Sequence, residues 1–199
     1  MEKRVRFLQQ GEFMRFIKYG LISAALLAQP ALADEARLSG LRVEARVGLE
    51  TPTVSDDDVY KLGQSVSIGG EIGYDIPVST KVTVGPFVNY DYARSKDCAS
   101  GYCLGSDGNL AAGGRIGINL GSALQLYCKL GYDRMKLKAT YEGDSGTETL
   151  DGVMGGIGLD YNLSSKAYVG VEINYADLGS FEGINFQRRH AVLTGGIRF

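Results

Sequence analysis

The chain is 199 residues long, 44% hydrophobic and 22% charged, which excludes a disordered or collagen-like polymer. A formal net charge of −2 gives no reason to expect nucleic-acid binding, a single histidine excludes a multi-histidine metal site, and three cysteines exclude a disulfide-dense scaffold. Glycine is the outlier at 28 residues, twice the usual share of about 7%. No apolar run reaches the ~18 residues of a membrane-spanning helix, so the Gly- and Tyr-rich chain reads as a β-sandwich or a membrane β-barrel.

Arg15 and Lys18 precede the apolar stretch Gly20–Ala28, and Gln29-Pro30-Ala31-Leu32-Ala33 follows. A basic start, a short apolar core and a small-x-small end predict a secretory signal peptide over residues 1–33, cut after Ala33, with Met14 as a candidate start. The absence of a cysteine after that cut excludes a lipoprotein anchor. Loss of residues 1–33 removes five basic and two acidic side chains from 21 and 23 and leaves a domain at 34–199 with net charge −5.

From Gly40 onward the hydrophobic period is two, the period of a strand. The first stretch is the clearest, with Leu41, Val43, Ala45, Val47 and Leu49 on one face and Arg42, Glu44, Arg46 and Glu50 on the other. The next, Ser65–Asp75, sets Val66, Ile68, Ile72 and Tyr74 against Ser67, Glu71 and Asp75. Lys81–Tyr92 sets Val82, Val84, Val88, Tyr90 and Tyr92 against Thr83, Asn89 and Asp91. Leu110–Leu120 sets Ala112, Ile116 and Ile118 against Arg115 and Asn119. Ala123–Arg134 sets Leu124, Leu126, Cys128, Leu130 and Tyr132 against Gln125, Tyr127, Lys129 and Asp133. Asp151–Leu163, Lys166–Tyr175 and Arg189–Phe199 complete eight strands in the same manner, the last carrying His190, Thr194 and Arg198 opposite its apolar face.

Four glycine pairs, Gly69-Gly70, Gly113-Gly114, Gly155-Gly156 and Gly195-Gly196, start 44, 42 and 40 residues apart, one on each even-numbered strand. A repeat of that length describes four β-hairpins. No helix pattern follows these glycines, so a phosphate loop is a poor reading; relief of crowding inside a narrow barrel and strand bending fit better. Connections after the odd strands are long and polar, about 51–64, 93–109, 135–150 and 176–188, whereas Ile76–Thr80, Gly121-Ser122 and Ser164-Ser165 are tight turns. Long loops at one end and short turns at the other are the arrangement of an outer-membrane barrel with its long loops outside the cell.

The aromatic residues choose between sandwich and barrel. Tyr74, Tyr161 and Phe199 share the apolar face at the short-turn end, and Tyr90, Tyr92, Tyr132 and Tyr175 share it at the other. Two rings of that kind are interfacial girdles, because an apolar body with a polar tip prefers the lipid–water boundary. The expected fold is therefore all-β, an eight-stranded antiparallel up-and-down transmembrane β-barrel in the bacterial outer membrane.

With this signal peptide, these strands and the ending Gly195-Gly196-Ile197-Arg198-Phe199, the chain resembles the small outer-membrane β-barrel family of Gram-negative bacteria. That family includes the OmpA transmembrane domain, OmpX and the opacity-type or "porin family" surface proteins. The resemblance implies that Phe199 is part of the signal read by the barrel-assembly machinery. It also implies roles in envelope integrity, adhesion or host interaction, with outer-membrane lipid and lipopolysaccharide as surroundings, an unidentified surface ligand, and a monomeric state. No peptidoglycan-binding domain follows the barrel pattern, so that role of OmpA is not carried over.

By parity Arg42, Glu44, Arg46, Glu71, Arg115, Lys129, Asp133 and Glu172 point inward. Eight strands leave room for side chains rather than a wide channel, so a mixed-sign network filling the lumen is expected, with a narrow ion path as the alternative. A lipid-modifying enzyme would need a Ser/His/acid group, and His190 has no serine near it in sequence; Ser145 and Ser180 are distant candidates in loops. No catalytic, cofactor or metal residues are therefore assigned. Export favours a disulfide between Cys98 and Cys103, with two free thiols as the alternative, while Cys128 falls on the lipid face as a free thiol. Asp56-Asp57-Asp58 reads as a solvated loop tip rather than a calcium site. Arg188 and Arg189 fall near the outer rim, where they either meet lipopolysaccharide phosphates, which suit a guanidinium fork, or form a solvated loop end.

Overall fold

The computed structural model describes residues 39–55, 59–61, 63–94, 96–99, 102–141, 144–181 and 184–199. The expected signal peptide at 1–33 and the triplet Asp56-Asp57-Asp58 lie outside the described residues. The strands are β1 (Gly40–Ser55), β2 (Val59–Lys61), β3 (Ser65–Pro77), β4 (Val82–Ala93), β5 (Lys96–Ala99), β6 (Tyr102–Leu120), β7 (Leu124–Tyr141), β8 (Asp144–Asn162), β9 (Ala167–Phe181) and β10 (Ile184–Arg198). Eight of them form the wall in the order β1-β3-β4-β6-β7-β8-β9-β10, all antiparallel, and β10 pairs back onto β1 from Arg42↔Arg198 to Ser55↔Asn185. The short β2 and β5 pair only with β1 and β6. Closure leaves the wall without an edge, the condition for strands that cross a bilayer.

The alternating pattern maps onto the two surfaces of this wall. On β1 Arg42, Glu44 and Arg46 are buried in the lumen while Leu41, Val43, Val47 and Leu49 are exposed on the outside. Both tyrosine rings are on the outer face, Tyr74 and Tyr161 at the short-turn end and Tyr90, Tyr92, Tyr132 and Tyr175 at the other. The short-turn end is built as the sequence indicates. In the turn after β3, Ser79 Oγ accepts from the Val82 amide at 3.2 Å, and in the turn after β8 Ser164 Oγ accepts from the Ala167 amide at 3.0 Å. Between β6 and β7, Gly121 adopts φ +84°, a left-handed conformation that favours glycine.

The opposite end departs from expectation. Most of the segments 93–109, 135–150 and 176–188 are strand, because β6 to β10 continue as paired ladders well past the tyrosine ring. The physical reason is visible on β7. Up to Tyr132 the outer face is apolar (Leu124, Leu126, Cys128, Leu130) and the inner face polar; beyond it the outer face carries Arg134, Lys136 and Lys138 and the inner face Met135 and Leu137. The alternation reverses sign where the wall leaves lipid and enters water. Buried Met135, Leu137, Met154, Ala176, Leu178 and Phe186 pack together there, with Val54 and Leu150 against them, as the apolar core of a short water-exposed barrel.

Candidate functional site

The lumen holds the chemistry of this chain. Among the described residues, six cations (Arg42, Arg46, Arg115, Lys129, Arg188, Arg198) and eight carboxylates (Glu44, Glu50, Glu71, Asp75, Asp91, Asp133, Asp160, Glu172) are buried inside it. Acids are in excess, and each cation lies between two or more of them. At mid-height Lys129 Nζ contacts Glu71 Oε2 at 2.6 Å and Glu172 Oε2 at 2.5 Å. Arg46 binds Glu71 at 3.2 Å, Asp91 at 3.0 Å and Glu172 at 2.9 Å. Towards the short turns Arg42 links Glu44 at 2.8 Å, Glu71 at 2.8 Å and Asp75 at 3.2 Å. Arg115 binds Asp160 at 2.6 Å, and Arg198 joins the same Asp160 at 3.2 Å. Two inward tyrosines tie the layers together: Tyr127 donates to Glu172 at 2.9 Å and Tyr168 to Glu44 at 2.8 Å.

All eight residues that parity places inside, Arg42, Glu44, Arg46, Glu71, Arg115, Lys129, Asp133 and Glu172, lie in this lumen. Glu50, Asp75, Asp91, Asp160, Arg188 and Arg198 belong to it as well; all but Arg188 already sit on the polar face of their strands, and the same parity would have found them. Glycines opposite the large side chains make the space. A Cβ on Gly158 would overlap the Tyr127 ring, and one on Gly196 the Tyr168 ring. The outward members of three pairs, Gly114, Gly155 and Gly195, face open space, so crowding in the lumen accounts for only half of those doublets; a Cβ on Gly70, the outward member of the fourth, would lie 3.3 Å from the Glu44 carbonyl oxygen.

Near the outer end the network includes His190, which is 2% exposed. Ser67 Oγ lies 2.6 Å from His190 Nε2, although 123 residues separate them in sequence. Asp91 Oδ2 is 3.6 Å from His190 Nδ1, which completes the composition of a hydrolytic triad, and neither Ser145 nor Ser180 takes part. The protons are placed the wrong way for that chemistry. Arg188 Nη2 is 2.9 Å from His190 Nδ1, and a guanidinium has only donors, so Nδ1 must present its lone pair. The neutral ring then carries its hydrogen on Nε2 and donates to Ser67 Oγ, whereas a general base must accept from it.

Arg188 itself corrects the expectation of a rim pair. It shares parity with His190, is buried, and binds Glu50 at 2.8 Å and Asp133 at 3.4 Å. Only Arg189 is on the outer face and exposed. The Arg188 charge is held by carboxylates inside the barrel and is not offered at the outer surface.

At the rim, Cys98 and Cys103 face each other across the β5–β6 ladder and are joined by a disulfide. Cys128 is a free thiol exposed on the outer face. Alkylation of the denatured protein is expected to modify one cysteine before reduction and three after it; three before reduction would exclude the bond. A cavity of about 180 Å³ opens beside the disulfide, between Arg94, Cys103, Asp107, Lys138 and Thr140. Phe199 is exposed on the outer face at the short-turn end, and its amide donates to the Leu41 carbonyl at 2.9 Å.

The solved structures similar to this fold include these three. The neisserial surface protein A is 15% identical, with 81% of this chain and 98% of that one covered at a TM-score of 0.63. Ail, the attachment invasion locus protein of Yersinia pestis, solved with the heparin analogue sucrose octasulfate, is 17% identical over 80% and 99% at 0.57. The N-terminal β-barrel domain of Pseudomonas aeruginosa OprF is 15% identical over 77% and 97% at 0.51. At these identities they speak for the fold alone. No curated protein matches the sequence. The sequence of residues 19–197 matches the outer membrane protein beta-barrel domain, and with a closed eight-strand wall, two outward tyrosine rings and a charged lumen the chain belongs to that family of bacterial outer-membrane proteins.

Proposed function

We propose that this barrel is a sealed anchor that holds four hairpins at the cell surface and contributes to envelope integrity and surface interaction, including adhesion. The lumen carries the reading. Every buried cation is locked between carboxylates, and the apolar layer of Met135, Met154, Leu178 and Phe186 lies above them. An ion entering from outside would lose its hydration against that layer and then displace paired charges, each step costing several kcal/mol. The fold shared with an attachment protein and a surface protein fits a surface role. The test is conductance of the refolded barrel in a planar bilayer. No steady unitary current is expected, and reproducible steps would favour a narrow pore.

A structural rather than catalytic role follows from the proton placement at Ser67 and His190. Lipid A analysed by mass with and without the protein should be unchanged. By family resemblance, Phe199 is the contact for the barrel-assembly machinery, residues 1–33 are the export signal, and the barrel works as a monomer among outer-membrane lipid and lipopolysaccharide. Deletion of Phe199 should leave refolding in detergent intact, because one boundary aromatic contributes at most about 1.5–3 kcal/mol, while its level in the outer membrane falls sharply. A normal level in cells would remove the assembly role.

A further inference from the structure

We propose that the outer face of β7 above the tyrosine ring is a binding site for the phosphorylated oligosaccharide of lipopolysaccharide, held by Arg134, Lys136 and Lys138; the proposal rests on the outer-membrane reading and gives it a lateral partner. These three cations follow one another at every second residue, so they share one face, and all are exposed. They continue the row Leu124, Leu126, Cys128, Leu130, Tyr132, which is the lipid face of the same strand. The hydrocarbon boundary on β7 therefore falls between Tyr132 and Arg134.

The spacing selects the ligand. A strand rises about 3.3 Å per residue and barrel strands tilt by about 35–45°, which places the three cations roughly 5, 10 and 15 Å beyond the level of Tyr132. A glycerophospholipid offers one layer of phosphate and reaches only the first. Lipopolysaccharide carries phosphates on its lipid A and further anionic groups outward along its core sugars, which follows the whole row. Arg134, nearest the boundary, has the fork suited to a phosphate, and the two lysines beyond it are mobile point charges.

The neighbouring strands leave the row available. Across β8 its partners are Asp151, Thr149 and Thr147; across β6 they include Leu110 and Gly105. Asp151 is engaged by the Tyr132 hydroxyl, and the two threonines offer hydroxyls beside the lysines. Among the described side chains Glu148, opposite Leu137, is the other exposed acid of this part of β8. Among the described residues none of the three cations forms an ion pair with another side chain. A second observation lies at the outer end of the row. Lys138 there lines the cavity of about 180 Å³ together with Arg94, whose side chain is 71% exposed and only 4.0 Å from Asp107. The concavity is lined by two cations, by hydroxyl groups and by one acid, Asp107, which lies against Arg94; with its net positive charge and its continuity with a cationic row that rises from the bilayer, it is a seat for an anionic sugar of the same molecule.

The test uses the refolded barrel in phosphatidylcholine nanodiscs and compares wild type, an Arg134→Gln/Lys136→Gln/Lys138→Gln variant, and a Lys81→Gln/Lys166→Gln control at the short-turn end. Binding of rough lipopolysaccharide with an intact inner core, of lipid A, of phosphatidylglycerol and of heparin is read by native mass spectrometry. Near a surface each cation is worth roughly a factor of five, so the triple variant should lose tenfold or more for lipopolysaccharide, and the control less than twofold. Wild type should hold core-bearing lipopolysaccharide more tightly than lipid A, and for phosphatidylglycerol, which reaches only Arg134, the triple variant should lose no more than about fivefold. Equal lipopolysaccharide affinity of wild type and triple variant would overturn the site. Equal affinity of wild type for lipid A and the core-bearing form would overturn the assignment of the outer cations. Tighter binding of heparin through the same residues would replace the lipid occupant by a soluble sulfated glycan. Heat-modifiable migration in SDS is measured on all three proteins; its loss in wild type would count against the barrel anchor itself, separately from the site.

Discussion

Arg46→Ala is expected to lower the unfolding free energy of the barrel by about 3–5 kcal/mol, against about 0–1 kcal/mol for Arg94→Ala. The two arginines differ in what they leave behind. Arg46 is 1% exposed and holds Glu71, Asp91 and Glu172, so its loss takes a cation from three acids that water cannot reach and leaves Asp91 with only the longer contact to Arg188 at 3.5 Å and to His190 at 3.6 Å. Arg94 is solvated and sits 4.0 Å from one partly exposed acid. Arg46→Lys should fall between, because one ammonium cannot span three acids drawn around a planar fork. Guanidinium unfolding of the refolded protein in detergent, followed by far-UV dichroism, gives the three midpoints. Equal midpoints for the two alanine variants would remove the ionic lumen as a source of stability.

The sequence makes the contents of that lumen readable and its partnerships unreadable. A period of two assigns each residue of a strand to one of two faces, and that is enough to place Arg46, Lys129 and Glu172 inside. Which acid meets which base depends on register across the barrel: Arg46 and Glu172 are 126 residues apart, and Ser67 and His190 are 123 apart. The strand ends at the outer rim are obscured for a different reason. Alternation is recognised by its apolar face, and on β7 that face moves from outside to inside between Tyr132 and Met135. A search for one continuous apolar stripe stops there and takes the rest as loop. The same misreading puts Arg188 at the outer rim, against lipopolysaccharide or water, although it has the parity of His190 and lies against Glu50.

Gly158→Val is expected to destabilise the barrel by about 2–4 kcal/mol, whereas Gly155→Val, three residues earlier on the same strand, should be neutral or stabilise it by up to about 1 kcal/mol. Both sites are extended backbone where valine is favoured, so strand propensity helps each substitution equally. The difference is the face. Gly158 is buried and pairs with Tyr127, and any Cβ there overlaps the ring. The ring cannot step aside cheaply. Its hydroxyl donates to Glu172 at 2.9 Å, and the Arg115 guanidinium rests 3.7 Å from its centroid. Moving it costs overpacking of about 1–3 kcal/mol and takes one donor from Glu172, about 1 kcal/mol more because Lys129, Arg46 and Asn174 still serve that carboxylate. Gly155 has nothing within 4 Å of an added Cβ and faces outward, so valine there adds apolar surface to lipid contact and removes backbone freedom from the unfolded chain. The two variants are compared by the same guanidinium unfolding in detergent. Equal losses would mean that the outward glycines are under a packing constraint of their own. A tolerated Gly158→Val together with a costly Gly155→Val would require the pleat of β8 to be reversed, and with it the assignment of every charge on that strand to the lumen.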